Sequence, residues 1–242
     1  SFRAFANWMI ASGRASTNPI ESIRRVRWTK TKERRALTQD EAFALLRATA
    51  VGPEYFGLTG LERATAYVCA LETGYRLGEL RALTAGCFDF RDATVTLVAE
   101  HCKNRMEGVQ YVKGSRAKQY RAFLAGKKPD ELVFALPGNG EVMTAFRRDL
   151  KAAGIKPVDD RGVEVTFHSL RYTLATALDR SGASLKERMS IMRHSDKGSL
   201  TMGTYTTLQV IDLRGAVERL PDYPWPADVR AASENQRQRE VA

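Results

Sequence analysis

Cysteine is scarce in this chain. Its 242 residues hold three, Cys69, Cys87 and Cys102, an odd number spaced 18 and 15 positions apart with no C-x-x-C pair. That argues against a disulfide framework and a zinc ribbon, and it points to a reducing, intracellular setting. No run approaches 18 apolar residues, so nothing reads as a membrane span, and no signal peptide is visible. There is no H-E-x-x-H, no D-x-D and no paired-carboxylate signature, which leaves two-metal chemistry without ligands; no metal or cofactor is expected. Acid is the minority charge. Asp plus Glu number 28 against 38 Lys plus Arg, giving a net charge of +10 and a pI of about 9.7. A surface of that sign favours a polyanionic partner, nucleic acid first and an anionic membrane surface second. With 43% hydrophobic residues the chain can bury a real core, which sets aside wholesale disorder.

The first residues, SFRAFANWMIAS, place Phe2, Phe5, Trp8 and Met9 at helical spacing, and Gly13 and Asn18-Pro19 end the run. The segment reads as the last helix (1–18) of a domain that mostly precedes the chain, which opens on Ser1 rather than methionine. Residues 19–35 read as a basic linker carrying Arg24, Arg25, Arg27, Lys30, Lys32, Arg34 and Arg35. It serves either as a solvated connector or as a phosphate-contacting crossing of nucleic acid. Thr38 and Glu41 form a capping box that opens a helix. Further helices are predicted over about 61–72, closed by Gly74, and over 77–83. The period then changes. TVTLVA at 94–99 and VQYV at 109–112 read as a hairpin with a charged tip, and Asp89-Phe90 as part of a third strand. Helices follow over 116–126, 141–152 and 167–180, then from the Ser184/Glu187 capping box to Arg193, and over 208–220. LVFAL at 132–136 is a short apolar segment. Pro221, Pro224 and Pro226 break the last helix, and residues 221–242 read as a polar C-terminal tail, loosely tethered from 227. The fold class is therefore mainly α with a small antiparallel β-sheet, residues 36–220 forming the main domain.

Four short motifs carry chemistry. In HSLR, His168 and Arg171 stand i, i+3 on a predicted helix, while Leu170, Leu174 and Leu178 can face the core. Such a pair cannot both enter a dry core, because arginine stays charged and needs an anion. In TGYRLGEL (73–80), Arg76 follows a glycine cap, and Glu79, three residues on, can hold it. Lys103 lies in the hairpin tip. HSDKGSLTMGTY (194–205) opens on His194 and ends on Tyr205. Each motif alone has a plain structural reading: a surface His–Arg pair, a salt-bridged helix junction, a solubilising turn lysine, a surface phenol. Together they form a toolkit for phosphoryl transfer. Arginines present parallel donors to phosphate oxygens and stabilise charge developing in the transition state. A tyrosine can attack phosphorus covalently, more readily where positive charge lowers the phenol's pKa. Lysine can protonate a leaving 5′-oxygen, and the histidines can activate the phenol or hold phosphate oxygens.

The order and spacing of these boxes resemble the tyrosine recombinases, or phage-type integrases. TGYRLGEL is similar to their first arginine box, HSLR to the second, HSDKGSLTMGTY to the third, Lys103 to the hairpin lysine, and LTQDE (37–41) to the entry of their catalytic domain. The resemblance covers about residues 36–215. It implies the integrase catalytic fold, with transition-state roles for Arg76, Lys103, His168, Arg171 and His194, Tyr205 as nucleophile and Glu79 in support. Arg105 and Lys113 are the fallbacks for the hairpin lysine, and Tyr172, turned partly away from the His168–Arg171 face, ranks well below Tyr205. Met189, Ile191 and Met192 read as core. Two features depart from the pattern. The glycine usual before the third-box histidine is Arg193, and the His194–Tyr205 interval is longer than is common.

The resemblance further implies site-specific cleavage and rejoining of double-stranded DNA through a 3′-phosphotyrosyl link, without ATP or metal, in DNA recombination or integration. It makes residues 1–18 the end of a core-binding domain and 19–35 the interdomain linker. DNA phosphate contacts are expected at Arg24, Arg25, Arg27, Lys30, Lys32, Arg34, Arg35 and Arg105. A homotetramer on two DNA sites is expected, a monomer without DNA, and a cytoplasmic, DNA-associated location, with room for accessory DNA-bending proteins. The rival readings are a topoisomerase that also uses a tyrosine and a 3′ link, and a noncatalytic DNA-binding protein.

Overall fold

The computed structural model describes residues 2–24, 33–101, 108–193 and 212–241. The chain divides into two compact units, residues 1–33 and 34–242. In the first, helix α1 (Phe2–Ala11) buries only Ala6. Phe2, Phe5 and Trp8 are exposed, with Phe5 stacked on Trp8 at 5.8 Å and the Arg14 guanidinium over the indole. Gly13, at φ +70°, turns the chain back, and Asn18 bonds to Asn7 at 2.7 Å.

In the second unit, reciprocal caps fix where the helices begin. Helix α2 (Gln39–Ala50) starts on the Thr38/Glu41 box. Helix α3 (Gly60–Thr73) starts on a second box, Thr59/Glu62, which the sequence reading passed over. Each box satisfies two backbone donors that a helix start leaves orphaned. Helix α3 is the central rod, buried on nearly every face. It packs against α2, the short α4 (Leu77–Arg81) and α7 (Ser169–Arg180). Helix α6 (Asn139–Ala152) covers α2. Tyr67 of α3, Phe146 of α6 and Phe167, just before α7, meet edge-on or tilted at 5.3–5.8 Å, geometries the ring quadrupole favours.

The sheet holds three antiparallel strands in the order β1 (Phe88–Asp89), β2 (Thr94–Leu97), β3 (Gly108–Tyr111). In β2, Val95 and Leu97 point into the core and Thr94 and Thr96 lie half-buried, the period-two alternation of a one-faced strand. Strand β2 is shorter than the sequence suggests, because Ala99–His101 wind into a 3-10 turn. LVFAL is not a paired strand. It makes one isolated antiparallel bridge, Thr84 with Leu132, and Val133 N–H donates to Leu83 C=O; Val133, Phe134 and Leu136 are buried, while Leu132 and Ala135 are exposed.

Of the helix read over 208–220, residues 208–211 lie outside the described residues. The described part, α9 (Leu213–Glu218), opens on Asp212, whose backbone is non-helical and whose side chain caps the Gly215 N–H at 2.7 Å. The stretch after Leu220 is not loosely tethered. Tyr223 and Trp225 are buried in the main core, and residues Pro226–Val241 form α10, which rests on α2 and α3. Helix α5 (Gly114–Phe123) supplies the anchors. The Arg116 guanidinium bonds both Glu72 (2.7 Å) and the Tyr223 carbonyl (2.8 Å) and lies over the Trp225 ring. The polar composition of the tail concealed two aromatic plugs that have no periodic neighbours.

A second buried ion pair joins α3 to α6. Arg63 grips Asp149 with two bonds of 2.9 and 3.0 Å, and Tyr67 donates to the same carboxylate at 2.8 Å. Both charged side chains are almost wholly enclosed. Asp149→Ala strands the guanidinium without its counter-ion, so a loss of about 3–5 kcal/mol is expected in urea unfolding. A loss under about 1 kcal/mol would show that the pair is dispensable.

Candidate active site

The site is assembled at the αL turn that ends α3. Gly74 sits at φ +65°, where a Cβ would come within 2.9 Å of the Leu174 side chain. Glycine therefore serves both the left-handed turn and the close approach of α7. The next residue, Tyr75, is buried, its hydroxyl within bonding distance of both the Val95 (2.8 Å) and Gly108 (2.7 Å) carbonyls. It thereby ties the turn to the β2–β3 hairpin. Arg76 follows, half-buried, and α4 begins. Glu79 in that first turn accepts from the Arg76 backbone N–H at 2.8 Å and from its guanidinium at 3.2 Å.

The HSLR segment meets this turn from α7. Leu170, Leu174 and Leu178 are fully buried, as their spacing predicts. Arg171 is buried as well, and its guanidinium donates to two backbone carbonyls, Gly74 and Met192. The expectation that a buried arginine here needs an anion gives way to a different solution, in which carbonyl dipoles from two segments cradle the charge. Burial, followed by the nearby charges of Arg76 and Arg193, pushes the Arg171 guanidinium down to about 10, with Glu79 opposing. It stays charged at neutral pH. His168 stands at the N-terminal edge of α7, half-buried. Tyr172 does not turn away from it. The phenol ring packs edge-on against the imidazole at 4.9 Å, while remaining exposed to solvent.

The third box is approached along helix α8 (Leu185–Ile191), opened by the Ser184/Glu187 box. Ile191 and Met192 are buried and Met189 half-buried, in line with a core role. Gln110 of β3 donates to the Ile191 carbonyl at 3.1 Å. Three separate segments, the Gly74–Glu79 turn, the start of α7 and the end of α8, thus converge on one corner, with the β2–β3 hairpin bonded to two of them. Lys103, Arg105, His194 and Tyr205 lie outside the described residues, as do Arg25, Arg27, Lys30 and Lys32. Among the described residues no group of three His, Cys, Asp or Glu side chains could hold a metal ion, and no helix is long and apolar enough to cross a membrane.

The sequence and the fold of this domain have known counterparts. Residues 35–210 match the model of the phage integrase family. The chain belongs to the phage integrase family. It is classed with the tyrosine-type site-specific DNA recombinases. Among its relatives, the tyrosine recombinase XerC of Pelotomaculum thermopropionicum is 24% identical over 220 residues, covering 86% of this chain and 68% of the relative. Tyrosine recombinase XerD of Pseudomonas aeruginosa is 25% identical over 177 residues, covering 71% and 57%. The fold is similar to that of a lambda integrase dimer solved bound to a COC′ core site, with a TM-score of 0.59 at 20% identity, covering 86% of this chain and 73% of that one.

Within this family fold, the structure sorts the remaining sequence candidates. Lys113, the fallback for the hairpin lysine, is buried and bonds the Leu220 carbonyl (2.5 Å) and Asp222 (2.6 Å), which commits it to anchoring the segment after α9. Arg35 grips Glu41 through two bonds of 2.6 and 2.7 Å, bracing the start of α2. Arg34 is exposed and close enough to act electrostatically on His168. Arg24 is exposed in the first unit. The residue that motif reading noted only as a departure is Arg193. It adopts φ +49°, a region that favours glycine, and its guanidinium bonds Glu79 and lies 4.7 Å over the Tyr75 ring. A charged side chain in a position usually held by glycine was the signal for it.

The electrostatics at His168 give a pH dependence. Burial holds the imidazole below its ordinary value of 6.5, and the charges of Arg171, Arg34 and Arg76 push the same way. The unfolded chain therefore takes up this proton first as pH falls. Stability is complete above about pH 6.5 and declines as pH drops through the depressed folded value. Melting temperatures measured from pH 8 down to 5 are expected to fall on the acid side of about 6.5, and His168→Gln is expected to flatten that decline. An equally steep decline in the variant would place the proton uptake elsewhere.

Proposed function

We propose that this chain cleaves and rejoins double-stranded DNA at specific sites through a 3′-phosphotyrosyl intermediate, with Tyr205 as the nucleophile and Arg76, Lys103, His168, Arg171 and His194 as its catalytic partners. The observation that carries the reading is the corner just described. Two guanidiniums from distant segments, Arg76 and Arg171, lie close enough to depress the pKa of the same half-buried imidazole, and among the described residues Glu79 is the carboxylate that pairs with Arg76 and acts on Arg171. Such an excess of fixed positive charge suits a phosphodiester whose negative charge grows in the transition state.

In this mechanism the Tyr205 phenol oxygen bonds to phosphorus and the bond from phosphorus to the 5′-oxygen breaks. The phenol proton passes to a histidine; His168, held neutral at pH 7, has that capacity. The departing 5′-oxygen takes a proton from Lys103. Arg76 and Arg171 hold the non-bridging oxygens. The new ester conserves the energy of the broken one, so a 5′-hydroxyl from the same or a partner strand can attack it and reverse the step without ATP. Glu79 accepts the Arg76 backbone N–H and so caps the turn that carries Arg76. Residues 1–18 would close a preceding core-binding domain, 19–35 would link it to a catalytic domain spanning 36–220, and Arg24, Arg25, Arg27, Lys30, Lys32, Arg34 and Arg105 would contact phosphates, Arg35 being committed to Glu41. Four copies on two DNA sites would complete strand exchange, with a monomer in the absence of DNA, accessory DNA-bending proteins as further partners and a cytoplasmic setting.

The test is a set of nicked suicide duplexes tiled across the genome that encodes the chain, incubated with the protein in EDTA. A covalent adduct whose DNA-bearing peptide contains Tyr205 is expected. An adduct at another residue would reassign the nucleophile. Tight binding with no adduct would favour a noncatalytic DNA-binding protein. Relaxation of supercoiled DNA without exchange between two sites would favour a topoisomerase.

A further inference from the structure

Glu79 lies between two arginines, and they do not hold it equally. Its Oε2 accepts the Arg76 backbone N–H and the Arg193 guanidinium, while among the described residues Oε1 receives the longer 3.2 Å contact from the Arg76 guanidinium. The Arg193 side chain is 11% exposed and the Arg76 side chain 34%. The tighter, better-shielded charge pair is therefore Glu79–Arg193. Arg193 is fixed from a second side by the Tyr75 ring, and the carbonyl that precedes it, that of Met192, is gripped by Arg171.

We propose that Arg193 is a positioning residue that acts as the counter-ion of Glu79, and that by occupying this carboxylate it leaves the Arg76 guanidinium available to a phosphate. The inference rests on Arg76 being a phosphate ligand, as proposed above. Without Arg193, the Arg76 guanidinium is the one that the enclosed Glu79 carboxylate still bonds among the described residues. An arginine–carboxylate pair closes into two parallel bonds when nothing competes. Arg76 would then turn inward onto Glu79, and a phosphate would have to break that pair before binding. The backbone makes the experiment clean. Arg193 sits in the left-handed region, so Arg193→Gly removes the guanidinium and places there the residue best suited to the turn.

Inorganic phosphate is titrated into the full chain while the Arg76 side-chain Nε–H resonance is followed, so the result does not depend on knowing the DNA target. Wild type is expected to show saturable binding. Measured well below the variants' melting temperatures, R193G is expected to weaken it about tenfold, and R193K, which keeps the charge, to stay within about threefold of wild type. The decisive comparison is E79Q. If Arg193 already occupies Glu79, E79Q alone changes phosphate affinity less than about threefold, yet in the R193G background it restores most of the lost affinity. A simple loss of positive field predicts instead that the two substitutions add, with E79Q alone tightening phosphate as much as R193G weakens it. Additive effects, an unchanged R193G, or no response of Arg76 to phosphate in the wild type would overturn the proposal. Adduct formation on the tiled duplexes, measured separately, reports on the overall function. An adduct-forming wild type with an unchanged R193G sinks the counter-ion role alone.

Discussion

Tyr205→Phe is expected to abolish covalent capture of a nicked duplex, lowering adduct yield by at least about 10³-fold while DNA affinity stays within about threefold of wild type. The substitution deletes one oxygen and keeps the ring, so it removes the nucleophile with the least disturbance of packing. The rest of the proposed machinery, Arg76, Arg171 and the neutral His168, remains in place to bind the phosphodiester, which is why binding and chemistry should separate. The neighbouring phenol that could take over is Tyr172, exposed and packed on the His168 ring. A Tyr172→Phe control is therefore informative. An adduct that survives Tyr205→Phe but disappears in Tyr172→Phe would transfer the nucleophilic role to α7.

Arg171→Lys should be nearly as severe, slowing single-turnover cleavage by about 10²–10³-fold although the charge is kept. The reason is geometric. The Arg171 guanidinium spans two carbonyls on different segments, Gly74 and Met192. Its planar fork still has N–H donors to spare for a phosphate. An ammonium is a single point with tetrahedral donors. It cannot reach both carbonyls and a phosphate together, and at least one buried carbonyl loses its partner. That loss also costs about 1–3 kcal/mol of stability, so cleavage must be measured well below the variant's melting temperature. Cleavage by the lysine variant at a rate near wild type would show that positive charge, rather than the fork, is what the site requires.

Much of this protein was legible in the sequence. Reciprocal Thr/Glu and Ser/Glu pairs marked the starts of α2 and α8, because capping chemistry acts within four residues and needs no tertiary partner. Gly74 announced the turn that places Arg76, since few other residues accept its backbone geometry. The β2–β3 hairpin was visible as a change of hydrophobic period. The Arg–Lys–His–Arg–His–Tyr set was read by chemical type and order, and Lys103, His194 and Tyr205 of it lie outside the described residues. Segments whose fate depends on distant partners were misread. The stretch after Leu220 looked like a tail because two buried rings, Tyr223 and Trp225, and a helix laid on α2 and α3 leave no local period.

Only the folded chain decided how the charges are balanced. The sequence lists 38 basic residues without saying which are structural. Arg63, Arg116 and Lys113 are enclosed with their own acids and carbonyls, Arg35 braces a helix start, and Arg171 is cradled by two carbonyls from segments far apart in the chain. Arg193, which the pattern marked only as out of place, proved to share Glu79 with Arg76. Local rules write the caps, turns and periods into the sequence. The partner of a buried charge is chosen by whatever the fold brings within about 3 Å of it, and that distance exists only once the three segments have met.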